Sequence, residues 1–429
     1  MTQLLREVSR WQVVALSVND VIGSGVYLLP AAAAALLGPA SVWAILAAGL
    51  CVLFIVLCFA EAGSMFDQPG GGYVYTREAF GELAGFEVCW MTWVARVTVA
   101  ASLSAGFAQA VSGVWSGAAA GWGRAVLIVV PLLFLTAVNV AGVKHGARLA
   151  VLLVAGKVLP LLALVAAGAL VADWSRVDLL VAPEAGNLGQ ASLLLLFAYA
   201  GFENTATPAS EYRDPQRDVP FALFVMIGSV TLLYTAVQLV ALALVPDVAR
   251  STTPLADAAG LIAGSAGVWA LTIGAAMSIL GTNNNTVLAG SRYLYAMAER
   301  GRLPAFFAGV HPRYRTPWIA LLTQTAIALP LALTGTFVEL AALSVIARMA
   351  TYIGTCAAVP VLRRRLPRGS FRLPGGPLIP IAAVLMCVAV LSTATARNLV
   401  AAAVALAVGA VIYALGPRST TSAPTRRTP

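Results

Sequence analysis

The sequence runs to 429 residues, of which 60% are hydrophobic and only 10% charged, with a mean hydropathy of +0.86. Soluble chains carry about 25% charge, so a water-soluble globular fold is excluded, and apolar stretches recurring from end to end exclude a soluble domain on a single anchor. The formal net charge of +9 would suggest nucleic acid in a soluble protein; its distribution gives it another meaning here.

A hydrocarbon core about 30 Å thick needs roughly 20 apolar residues of helix. Segments of that kind are predicted at Trp11–Leu37, Ser41–Phe66, Ala84–Gly113, Ala125–Val143, Leu149–Val171 and Leu188–Thr207. They continue at Val219–Val245, Gly267–Ala298, Pro317–Leu333, Glu339–Val361, Leu378–Ala396 and Leu399–Leu415. The expected fold is therefore an all-α integral membrane protein of about twelve transmembrane helices. The first segment is too long for a signal core and has no small-residue cleavage site after it, so it is expected to stay as the first membrane helix. Cys51, Cys58, Cys89, Cys356 and Cys387 all fall in apolar segments without a CxxC pair, which suggests neither a metal site nor a disulfide framework.

With the N-terminus inside, 20 of the 27 basic residues fall in inner loops and termini, among them Arg6, Lys144, Arg148 and Arg363–Arg364–Arg365. Four (Arg124, Arg176, Arg250, Arg397) fall outside and three lie at membrane depth. The positive-inside rule then assigns both termini to the cytoplasm of a multi-pass cell inner (plasma) membrane protein. The basic excess is topological, and no nucleic-acid partner is expected; the lipid bilayer is the partner instead. Seven of the nine tryptophans sit near segment ends, where interfacial belts form. Residues 417–429, rich in Ser, Thr, Pro and Arg, are expected to be a disordered cytoplasmic tail.

Two segments carry signals for a break. The first has Ile22-Gly23-Ser24-Gly25-Val26 at its middle, preceded by Asn19-Asp20; the sixth has Tyr199-Ala200-Gly201-Phe202-Glu203-Asn204, with Pro208 soon after. Glycine also serves close helix packing, which accounts for either segment alone better than for both. Broken helix is tolerated in a membrane only where it lines a protected cavity, and breaks at corresponding positions of two halves are the mark of inverted-repeat transporters. Freed amides at a half-helix N-terminus receive a carboxylate, and unpaired carbonyls receive an ammonium. Such a site reads the two groups that all amino acids share.

At these residues the chain resembles the amino acid–polyamine–organocation superfamily of permeases. The likeness runs through IGSGVYLLP (22–30), QPGGGYVYTREAFGE (68–82), FAYAGFENTATPASEYRDPQRDVPFAL (197–223) and SRYLYAMAERGRLPAFFAGVHPRYRTPW (291–318). It implies a five-plus-five inverted repeat with broken helices 1 and 6. Residues 1–180 form the first repeat, 181–366 the second, and 367–416 two appended helices. It also implies secondary active transport by alternating access. The substrate carboxylate would meet Gly23, Ser24 and Gly25, beside Ile22; the ammonium would meet Ala200 and Gly201, with Phe197 as an aromatic lid. Asn285 is the match to a tryptophan gate of arginine–agmatine exchangers, and that exchange of residue weakens any expectation of their substrate.

Lys157, in VLLVAGKVLPLLALV, is a charge at membrane depth costing about 2.5–3.5 kcal/mol on insertion scales. It either pairs with a carboxylate or snorkels to the interface. Alternatively, as the resemblance implies, it replaces the sodium ion that other relatives hold between helices 1 and 8, coupling transport to protons or locking that geometry. Glu203 reads equally as proton carrier, as hydrogen-bond partner of the break or as cap of the second half-helix. Asp20 has three readings: contact with a cationic substrate, pairing with Lys157, or a cap. Arg96, Glu87 and Arg348 are expected to pair or anchor rather than touch substrate, and Trp90 and Trp93 to pack. No nucleophile–base set, metal cluster or cofactor motif is present. An amino acid carrier is therefore expected, sodium-independent and either proton-coupled or an exchanger. Its substrate is expected to be neutral, with a cationic amino acid or polyamine as the alternative. A channel or a transporter-like sensor is the rival of another class.

Overall fold

The computed structural model describes residues 9–66, 71–142, 146–205, 213–366, 369 and 371–416, and among them it contains fourteen α-helices and no strand. The first predicted segment is split into α1 (Arg10–Val21) and α2 (Gly25–Leu37). Then come α3 (Ser41–Ser64), a short α4 (Gly72–Phe80), α5 (Glu82–Val111), α6 (Gly121–Ala141) and α7 (Gly146–Val171). The second half begins with α8 (Ala185–Tyr199), which stops at Ala200 and is followed by a single 3-10 turn, Phe202–Asn204. It continues as α9 (Pro215–Leu244), α10 (Pro254–Glu299), α11 (Trp318–Thr334), α12 (Phe337–Arg365), α13 (Leu378–Ser392) and α14 (Ala396–Leu415).

Seven described stretches are long and apolar enough to cross a bilayer, and shorter apolar helices lie at Gly156–Val171, Trp318–Thr334 and Leu378–Ser392. By themselves α1, with 12 residues, and α8, with 15, are too short to span, because each is interrupted where the glycines fall. One helix and part of another lie outside the predicted segments. Helix α4 occupies what reads as a polar loop. The N-terminal part of α10, from Pro254, is helical because Pro254 sits at its first position and an apolar run follows. Non-helical angles at Ala263 and Gly264 then fold it back. A Cβ on Gly267 would strike the Ala259 carbonyl, so the return is tight. Lys144, His145, Pro208 and the tail 417–429 lie outside the described residues.

The packing divides in two. Helices α1, α2, α3, α8 and α9 pack on one another: α1 and α3 against α9, α2 and α3 against α8. The other group is built around α5, with α10, α11, α12 and α6 against it and α7 against α10. The neighbours are reciprocal between the halves: α1 meets α9 as α8 meets α3, and α5 meets α12 as α10 meets α7. One end of the bundle is basic. There Arg10 pairs with Asp218 at 2.9 Å, and Arg363 grips the fully buried Glu61 through two nitrogens at 2.6 and 2.7 Å.

Candidate substrate site at the two helix breaks

Helix α1 ends at Val21 because Ile22 turns to extended angles, φ −70° and ψ 97°. Helix α2 restarts from Ser24, whose carbonyl accepts from the amides of Tyr27 and Leu28 at 3.1 Å. The amides of Gly23, Ser24, Gly25 and Val26 lie ahead of those bonds, as the first amides of any helix do. The Ser24 hydroxyl is buried and has no hydrogen-bond partner among the described residues.

The carbonyl end of α1 is supplied from α7. The Lys157 ammonium donates to the carbonyls of Asn19 at 2.6 Å and Ile22 at 2.8 Å, and Tyr234 of α9 donates to Val21 at 3.2 Å. Tyr27, from α2, donates in turn to the Lys157 carbonyl. A lysine at the C-terminal end of a helix segment meets the negative pole of its dipole. Among the described residues Lys157 forms no ion pair.

The second break has the opposite arrangement. Gly201 adopts φ +129°, a conformation open to glycine, and a Cβ there would strike the Asp20 carbonyl. Its amide donates to Glu203 Oε2 at 3.0 Å. The other Glu203 oxygen pairs with Arg348 of α12, and Arg96 of α5 stands 4.0 Å away while donating to Asn204 at 2.8 Å. Arg96 and Arg348 thus pair as the sequence suggests, but with a residue of the break rather than with Glu87. Glu87 lies instead beside α14, near Gly409. Trp90 and Trp93 pack on each other, and the Trp90 indole donates to Ala405.

The two breaks touch. A Cβ on Gly25 would lie 2.6 Å from the Ala198 Cα, so only glycine lets the start of α2 reach the end of α8. Tyr234 joins both breaks, its single hydroxyl proton shared between the carbonyls of Ala198 at 2.9 Å and Val21 at 3.2 Å. Ile22, Gly23, Ser24, Gly25, Ala200 and Gly201 therefore form one neighbourhood, with Lys157 and Glu203 on its flanks. Phe197 is buried on the side away from the basic end and meets Phe337 edge-on at 5.6 Å.

Two sequence-selected residues stand differently. Asp20 is partly buried and makes no hydrogen bond or close ion pair among the described residues, but the Lys157 ammonium and the Arg96 guanidinium act on its carboxylate at longer range. Asn285 is exposed and no contact joins it to the breaks. In the same run Asn283 donates to Ser104, and Asn284 accepts from Asn139. Thr282 is the α10 residue that meets the first break, 3.5 Å from where a Gly23 Cβ would stand. Neither Thr282 nor Tyr234 is selected by sequence reasoning, since neither carries a charge or a break signal.

A bundle of membrane-crossing helices with two interrupted segments that meet at their glycines has the build of a carrier. The profile of the amino acid permease family matches residues 8–415, and the chain belongs to that family of amino acid transporters. It is 29% identical to the serine/threonine exchanger SteT of Bacillus subtilis, over 89% of each chain. The branched-chain amino acid permease BcaP of Bacillus subtilis is 27% identical over 97% of this chain and 94% of its own. A methylthioribose transporter of the same organism is 26% identical over 97% and 94%.

Proposed function

We propose that the chain is a secondary active transporter of neutral amino acids, working by alternating access without sodium, as an exchanger or with protons. The observation that carries this reading is the match of poles at the breaks. Lys157 fills the carbonyl pole of the first break, and Glu203 fills the amide pole of the second. What stays available is the amide pole at Gly23–Val26 and, past the Phe197 and Ala198 carbonyls that Ala200 and Tyr234 occupy, the carbonyls of Tyr199 and Ala200 at the end of α8, and these adjoin. A zwitterion of α-carboxylate and α-ammonium complements that pair. The substrate side chain then points to Phe197 and Phe337, an apolar wall.

In this mechanism the chain has about twelve spans, with residues 1–180 and 181–366 as inverted repeats and 367–416 appended, an arrangement that the reciprocal neighbours of the two halves support. The bundle of α1, α2, α3, α8 and α9 rocks against the group around α5. Lys157, whose ammonium is bonded to α1 from α7, ties the two groups and makes a sodium ion between them redundant. Asp20, which has no hydrogen bond among the described residues although Lys157 and Arg96 act on its charge, supports a second reading in which a cationic amino acid is carried.

Uptake of labelled serine, threonine, leucine and lysine into proteoliposomes tests both. The expected result is saturable uptake of a neutral amino acid that is indifferent to sodium and accelerated by internal amino acid or by an inward proton gradient. Uptake of lysine alone selects the second reading; strict sodium dependence or unsaturable flux overturns the mechanism.

A further inference from the structure

Away from the breaks, at the basic end, lies a cavity of about 280 Å³ between α4, the start of α5 and the end of α10. Three guanidinium groups, those of Arg77, Arg300 and Arg302, line it against one carboxylate, Glu82. Arg77 and Arg302 each stand 3.9 Å from Glu82, at the outer edge of ion-pair distance. Arg300 has no ion pair among the described residues. Its guanidinium lies over the Tyr73 ring at 4.5 Å, and the Arg77 guanidinium lies over the same ring at 5.3 Å. Arg302 is similarly placed over Tyr413 of α14, at 4.6 Å. Glu299, the next acidic residue along α10, is exposed and accepts from Tyr295 instead.

These arginines are therefore positioned by aromatic faces, which leave the donor edges of Arg300 and Arg302 open, while Arg77 spends one donor on the Tyr73 hydroxyl at 3.3 Å. Like charges gathered around one cavity repel unless an anion neutralises them, and Glu82 balances only one of three. The floor is apolar, formed by Phe86 and Met297 at the ends of two long helices, which sets the cavity where a bilayer's headgroups begin. Guanidinium forks match the oxygens of a phosphate in pairs, and basic cavities between helices at an inner membrane face hold anionic headgroups.

We propose that this cavity is a binding site for a phosphate group, separate from the transport site, with Arg300 and Arg302 as the principal ligands and Arg77 as the third. The group reaches it either on an anionic phospholipid or free in solution. A bound phosphate joins α4 and α5 to the end of α10 and so braces the group of helices around α5.

The purified full chain in phosphatidylcholine nanodiscs is titrated in two arms, one with increasing phosphatidylglycerol and one with sodium phosphate against sodium chloride at equal ionic strength. Melting temperature is the readout, since a ligand of the folded state raises it. A rise in both arms identifies the phosphate itself, and a rise with phosphatidylglycerol alone identifies the lipid; either supports the site. Arg300→Gln should weaken the response about tenfold, the loss of one charge-assisted contact, while Arg364→Gln, on an exposed position, leaves it unchanged. No rise in either arm, or an equal rise in Arg300→Gln, overturns the proposal. Should Arg300→Gln fail to fold, Glu82→Gln provides the independent check: removing the competing carboxylate should strengthen the response, and an unchanged or weaker one overturns the site.

Discussion

The two breaks are held open by opposite means. At the first, a cation from another helix binds the carbonyls that α1 leaves unpaired; at the second, an anion two residues away binds the amide that Gly201 leaves unpaired. The first clamp is an ammonium bonded to neutral oxygens, with the Asp20 carboxylate acting on it at longer range. The second is a charge cluster, in which Glu203 is itself held by Arg348, with Arg96 nearby. The difference teaches what each break leaves over. Each clamp satisfies one pole, and the poles that remain are of opposite sign and adjoin through Gly25 and Ala198. It also predicts that the two clamps fail differently.

The largest effect is expected from the cluster. Glu203→Gln keeps an acceptor for the Gly201 amide but removes the charge that balances two buried guanidinium groups, so stability should fall by about 3–5 kcal/mol. A thermal melt shows it, and Arg348→Met combined with Glu203→Gln should recover part of the loss; strictly additive losses would break the assignment. Lys157→Met should cost less stability, about 2 kcal/mol, because two orphaned carbonyls are offset in part by removing a buried charge. Its uptake in proteoliposomes should nevertheless fall at least about tenfold, since α1 loses its attachment to α7. Normal uptake by this variant under a pH gradient would sink the role given to Lys157.

The glycines sharpen the comparison. Gly25→Ala forces a Cβ into Ala198 and should cost about 1–3 kcal/mol by overpacking. Gly23→Ala meets only an ordinary contact with Thr282 and should change stability by less than about 0.5 kcal/mol, while lowering substrate affinity in a binding titration. Equal melting temperatures for the two variants would contradict the packing at the breaks. A comparably small effect belongs to Arg10→Gln at the basic end: its pair with Asp218 is half exposed on the arginine side, and such a pair is worth about 0.2–1 kcal/mol. A chemical-denaturation series resolves that difference.

Much of this was legible in the sequence for physical reasons. A membrane penalises unpaired backbone, so GSG and AG within apolar runs announce breaks, and a lysine in an apolar run announces a partner. The partners themselves were less legible. That Arg96, Arg348 and Glu203 converge depends on α5, the second break and α12 meeting, which local pattern does not encode. The triple asparagine of α10 shows the same limit on a smaller scale. Each residue turns a helix by about 100°, so Asn283, Asn284 and Asn285 face Ser104, Asn139 and an exposed surface respectively, and a motif match is uncertain by that much. Helix α4 and the start of α10 escaped because their polar flanks read as loops.

In the mechanism proposed, the unfilled poles of the two breaks read both charged groups of an amino acid. Calorimetric titration of the purified chain with one transported amino acid, its decarboxylated amine and its α-hydroxy acid tests this most directly. Binding of the amino acid, with both analogues weaker by about a hundredfold or more, is the predicted result. An analogue lacking either group that binds as tightly as the amino acid would contradict it.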